Sequence, residues 1–183
     1  MLGKLFRRDP NREAADRLYQ HIANAAREPL LYANHGIPDT VEGRFESLAL
    51  HTILVLRRLD LLGPEGKTLA QVLIDRFFAD IDSAMRQIGI GDTSVGKKVK
   101  AFAKGFYGRA SAYQQALAVD ADPAALPDAV ERNLLGITTG AMAVSETHGQ
   151  SLSRYIRESA AMLDGCSFQD LASPGPMFAK QCL

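Results

Sequence analysis

Apolar residues recur along most of this chain at spacings of three and four, the repeat of an amphipathic helix. Stepping from Val41, the repeat falls on Phe45, Leu48, Thr52, Val55, Leu59 and Leu62, a seam broken by one threonine. Leu50, Ile53, Leu54, Leu56 and Leu61 spread apolar surface around the rest of the circumference, so this segment predicts a helix near the centre of the fold. Asp39 is the expected N-cap, Glu42 its reciprocal partner three residues on, and Gly63-Pro64 the stop. A second line, Val95, Val99, Phe102, Phe106, Ala110, Tyr113 and Leu117, predicts a long amphipathic helix capped by Asp92 or Thr93.

Other helices follow from the same pattern. Pro10 opens one at its first position, with Ala15, Leu18, Ile22 and Ala25 inward and a break at Glu28-Pro29. Turn formers from Tyr32 to Pro38 feed the central helix. Leu69, Leu73, Phe77, Ile81, Met85 and Ile88 mark a helix that ends at Gly89. Ala121 to Pro127 reads as a linker and Asp128 to Leu135 as a short helix. Ser145 to Leu163 forms a further helix with Leu152, Tyr155, Ile156, Ala160 and Leu163 inside, and Ser173 to Pro176 breaks the tail. No segment reads as a strand. At 183 residues and 46% hydrophobic, the chain suits one core. The expectation is an all-α, single-domain bundle of about six to seven helices over 1–183, with 1–9 a flexible N-terminus and 172–183 an irregular tail.

The ionic residues are harder to place. At about 100° per residue, Arg44, Ser47, His51 and Arg58 fall into one stripe of the central helix and Glu42, Glu46 and Arg57 into another. Either they form hydrogen-bonded pairs with neighbouring helices, or Arg44, Glu46, His51 and Arg58 face a groove that receives a partner. On the second helix Lys97, Lys100 and Lys104 lie opposite the apolar line, Lys98 and Arg109 border it, and no acid occurs from Thr93 to Val119. An uncompensated basic helix attracts polyanions or acidic protein surface; acids on other helices would neutralise it. Tyr107 and Arg109 sit at the edge of the apolar face, where a partner would meet them.

Composition narrows the classes. With 21 basic and 21 acidic residues, no global asymmetry argues for nucleic acid, and DNA is not an expected partner. No apolar run is long enough to span a membrane. The start, MLGKLFRRDP, lacks a secretory h-region, so the expected location is the cytoplasm. Leu2, Leu5 and Phe6 beside Lys4, Arg7 and Arg8 form either a frayed terminus or a peripheral contact with an anionic membrane through 1–8. Cys166 and Cys182 lack metal-type spacing and suit free thiols.

Signals for enzyme chemistry fail on inspection. Gly91 to Lys97 matches the opening of a P-loop, but Lys98 stands where Ser or Thr should hold magnesium, and a helix precedes the loop in place of a strand. Asp80 and Asp82 form a DxD whose side chains point about 200° apart on a helix, so they cannot clamp one ion. Histidines 21, 35, 51 and 148 show no metal spacing, and no serine sits in a nucleophile elbow.

The stretches PDTVEGRFESLALHTILVLRRL (38–59) and GDTSVGKKVKAFAKGFYGRASAY (91–113) resemble the signature segments of the ubiquinol-cytochrome c chaperone family, whose members assist assembly of the cytochrome bc1 complex. The likeness covers Leu30 to Tyr113 well and the C-terminal third loosely. It implies an all-helical assembly chaperone, with no catalytic residues and no cofactor, that binds newly made cytochrome b or another bc1 subunit. In mitochondria, members also work beside the ribosome. Asp39, Gly43, Arg44, Phe45, Glu46, His51, Arg57 and Arg58 match the first signature; Gly96, Lys97, Lys98, Lys100, Phe106, Tyr107, Gly108 and Arg109 match the second. Mitochondrial relatives carry a targeting extension, whereas this chain begins almost at its first helix. It therefore resembles a bacterial member acting in its own cytoplasm, where the alternative of a peripheral contact through 1–8 would place it at the inner membrane.

The expected partner-binding set is Arg44, Phe45, Glu46, His51, Arg58, Lys97, Lys98, Lys100, Phe106, Tyr107 and Arg109, with apolar contact supplying affinity and charge supplying orientation. Two other classes stand beside it. One is a ribosome- or RNA-associated module on the basic helix 93–118, using Lys97, Lys100 and Lys104. The other is a small hydrolase or ligand-binding protein with a polar pocket around Glu46 and His51.

Overall fold

The structure, a computed structural model, describes residues 9–87, 89, 91–136, 146–173, 175 and 177–180. These form α1 (Pro10–Ala26), α2 (Pro29–Ala33), α3 (Val41–Asp60), α4 (Gly63–Gln87), α5 (Asp92–Ala116), α6 (Ala125–Val130), which runs into a π-helical turn (Glu131–Leu135), α7 (Glu146–Asp164) and α8 (Phe168–Ala172). No strand occurs among the described residues, so the all-α bundle is as expected. The expected positions of Ile88 and Ser145, and much of the Ser173–Pro176 break, lie outside the described residues.

Central placement of α3 follows from its all-round apolar surface. It packs on α1, α4, α5, α7 and the π turn, and the unbroken run Ala49 to Val55 is buried. Burying a run longer than one turn requires neighbours on every side. Around it, α1 lies along α4, α4 along α5, and α6 joins α5 to α7, while α8 covers α1. Residues from all of these elements form one hydrophobic cluster.

Local chemistry corrects several boundaries. Thr40, not Asp39, caps α3: its hydroxyl accepts from the Gly43 N–H at 3.1 Å, which leaves the Asp39 carboxylate free to pair with Arg44 at 2.6 Å. Gly91 occupies the cap position of α5 in place of Asp92 or Thr93. Gly63 both ends the α3 connection and starts α4, with φ at +76°. Leu61, expected to add apolar surface, is 65% exposed because it lies past the last turn of α3. The short α2 takes in the first two residues of the expected Tyr32–Pro38 loop, and the 121–127 linker already contains the start of α6. Within the tail, the described residues Met177, Phe178 and Ala179 are buried against the core. At the other end Asp9 caps α1 by accepting from the Asn11 N–H.

Candidate partner-binding groove

The apolar seam of α3 does not stay inside. Thr52, Val55 and Leu59 are buried, Phe45 and Leu48 are half-buried, and Val41 is 67% exposed. Running from core to solvent, the seam forms one wall of an open groove of about 450 Å³ between the C-terminal half of α1, the first turns of α3, the C-terminal half of α4 and the start of α5. Phe45 and Phe102 meet edge to face at 4.4 Å between centroids and form part of the apolar lining, together with Leu48, Ile81 and Met85. Arg27, Arg44 and Lys98 bring cations to it, and Glu42 and Asp80 bring acids. Asp80 is engaged, accepting from the Tyr19 hydroxyl at 2.8 Å and from Arg76. Arg44 pairs with Asp39 and lies over the Tyr32 ring. Beyond Arg27 and Arg44 a second hollow of about 360 Å³ is lined by Pro29, Tyr32 and Ala33.

Of the expected set, Arg44, Phe45 and Lys98 therefore line the groove, and the others lie elsewhere. His51 is sealed in the interior. The Ser47 carbonyl can only accept, so the Nδ1–H donates to it at 2.7 Å, and Nε2 accepts from the Tyr155 hydroxyl at 2.7 Å. Phe178 packs edge-on at 4.8 Å. Burial disfavours the imidazolium and brings the His51 pKa down to about 4, so the ring is neutral. It bolts α3 to α7 and does not border a groove.

Arg58 is also structural, donating Nε and Nη2 to the Cys166 carbonyl at 2.9 and 2.6 Å. Arg57 beside it grips Asp164 with two bonds, at 2.8 and 3.1 Å. The last turn of α3 thus holds the C-terminal end of α7, where carbonyls lack helical partners. Ser47 donates to the Ala26 carbonyl at 2.9 Å, and Tyr32 donates to the same oxygen at 2.5 Å, which together close the end of α1.

Glu46 and Arg109 form an ion pair between α3 and α5. Burial raises the Glu46 pKa, and the guanidinium opposes that rise. The pair sits one residue along from Phe45 and so fixes how α5 crosses the groove. Phe106 is buried against Phe77 and Phe78. Lys97, Lys100, Lys104 and Tyr107 are exposed on the outer face of α5, away from the groove lining. Sequence reasoning missed Arg27 altogether. It placed Ile81 and Met85 in the core line of α4, and nothing in their spacing reveals which stretch of a helix lacks a covering neighbour.

The family model described as Ubiquinol-cytochrome C chaperone matches residues 33–178. The chain belongs to the ubiquinol-cytochrome c chaperone family. Its fold is also that of the crystal structure of the Cbp3 homolog from Brucella abortus, with 35% identity and a TM-score of 0.81 over 93% of this chain and 91% of that one. No curated protein sequence matches significantly. The matched span of the family model contains the α3, α4 and α5 walls of the groove, while Arg27 and the α1 wall precede it.

Proposed function

We propose that this member of the family assists assembly of the cytochrome bc1 complex by holding newly made cytochrome b, with a client segment seated in the groove between α1, α3, α4 and α5. The observation that carries this reading is the open apolar seam Val41–Phe45–Leu48. Such a surface costs free energy while exposed to water and gains it when a partner covers it. An unassembled membrane protein offers matching chemistry: apolar helices whose polar ends stay in the aqueous phase. Apolar contact with Phe45, Phe102 and Met85 supplies affinity, and Arg27, Arg44 and Lys98 orient the polar end of the client. His51, Arg58 and the Glu46–Arg109 pair contribute by fixing the helices that build the groove.

The test uses side chains that the fold does not need. Val41→Asp and Lys98→Glu change exposed positions on the groove lip, so circular dichroism and thermal unfolding stay near wild type. Cytochrome b in cells carrying both changes is expected to fall severalfold. Normal accumulation with an intact fold would remove the groove from the mechanism.

A further inference from the structure

The outer face of α5 carries charge that nothing in the described fold absorbs. Lys97, Lys100 and Lys104 follow one another at single-turn intervals, and Tyr107 continues the row. Ala101, Gly108 and Ser111 flank it, and every one of these positions is exposed. The ion pairs among the described residues use Arg44, Arg57, Arg76, Arg86, Arg109 and Lys180. None of them uses an α5 lysine. The opposite face of the same helix is locked into the core by Val95, Phe106 and Tyr113, so α5 cannot roll over and insert.

We propose that this face of α5 is a docking surface for an anionic lipid bilayer, which it meets side-on. Three features select a bilayer over other polyanions. The charges are ammonium groups, which act as point charges toward a diffuse field, whereas specific phosphate recognition favours the forked guanidinium. The surface is the outer side of one helix, with the small Ala101 between the lysines and Gly108 and Ser111 beside and beyond Tyr107, so a flat charged plane can reach all three together. Tyr107, 54% exposed at the end of the row, has the amphipathic ring that settles at the headgroup level. A single-stranded nucleic acid would instead need a channel with stacked aromatic platforms, and Tyr107 is the single aromatic ring on this face.

The placement has a consequence that rests on the groove reading given above. Lys98 and Phe102, which line the groove, lie on the other side of α5 from the lysine row, so a bilayer held against that row leaves the groove mouth open to a client.

The test is co-sedimentation of the full chain with vesicles of phosphatidylcholine containing about one-third phosphatidylglycerol, with pure phosphatidylcholine as the neutral arm. The chain is expected to bind the anionic vesicles at low ionic strength, less at physiological salt, and to leave the neutral vesicles unbound. A lysine near an anionic surface contributes about five-fold in affinity, so the Lys97→Gln, Lys100→Gln, Lys104→Gln triple variant should lose roughly a hundred-fold. Tyr107→Ser should weaken binding further. An Arg12→Gln, Arg132→Gln, Arg154→Gln triple removes equal charge from α1, the π turn and α7, and should change binding little. Equal losses in the two triples, retention by the lysine triple, or no anionic-vesicle binding at low salt would each overturn the proposal. So would a chain that uses these lysines to capture mixed-sequence RNA but no vesicles. No client is present in this assay, so its failure leaves the groove reading standing, and failure of the groove reading leaves this surface standing.

Discussion

Arg109 of α5 reaches across to Glu46 of α3, and the carboxylate it meets is only 7% exposed against 26% for the guanidinium. The pair lies next to the Phe45–Phe102 contact in the groove lining, so it positions α5 without touching the groove itself. Removing one member strands the other. Arg109→Ala leaves a buried carboxylate without its counter-charge and is expected to cost about 2–3 kcal/mol, somewhat below the figure for a fully buried pair. Glu46→Leu with Arg109→Leu should cost less than Arg109→Ala alone, a non-additivity that urea unfolding of the three chains would measure.

Glycine-to-alanine changes should differ in sign. A Cβ on Gly43 would lie 1.9 Å from the Pro38 carbonyl oxygen, and one on Gly66 would lie 2.2 Å from that of Leu59. Both neighbours are backbone that cannot step aside. Gly43→Ala is therefore expected to destabilise by about 2–3 kcal/mol, despite alanine's better helix propensity. A Cβ on Gly108 would meet open space, so Gly108→Ala should stabilise by about 0.5–1 kcal/mol. Thermal unfolding of the two variants checks both signs.

Much of this architecture was legible because helical periodicity survives almost everywhere. The inward line of α1 and the α4 line from Leu69 to Met85 bury as their spacing predicts, while the α3 and α5 lines bury only in part, with Val41 exposed and Phe45, Leu48, Val99 and Phe102 half-buried. Boundaries were weaker where two residues competed for one cap, as Asp39 and Thr40 do. The site was read least well. Ser47, His51 and Arg58 were grouped as one stripe, but a stripe does not show whether helix or solvent lies opposite. Here α1, α7 and the Cys166 carbonyl lie opposite, so all three hold the interior together. Arg44 on α3 and Lys98 on α5 reach a gap lined by residues of four helices. No single segment encodes that gap.

Stability should depend on pH through His51. Its folded pKa is about 4, against an unfolded value of 6.5, so the unfolded chain binds the extra proton between those values. The contribution is complete above the unfolded pKa and is lost as pH falls toward the folded one, by up to about 3 kcal/mol. Asp39 and Asp170, held below the usual carboxylate range by Arg44 and Ser167, act in the same direction but in more acidic solution. Glu46, shifted upward by burial, acts in the opposite sense. Comparing wild type with His51→Gln isolates the histidine: the wild-type loss between pH 6.5 and 4 should exceed that of the variant.

Site-specific crosslinking can find what occupies the groove. A photoreactive residue at Val41, on the groove lip, should yield an adduct with newly made cytochrome b in cells. The same residue at the exposed Arg154 on α7 should yield none. Absence of a cytochrome b adduct from Val41, or equal adducts from both positions, would contradict the assignment of this groove as the client seat.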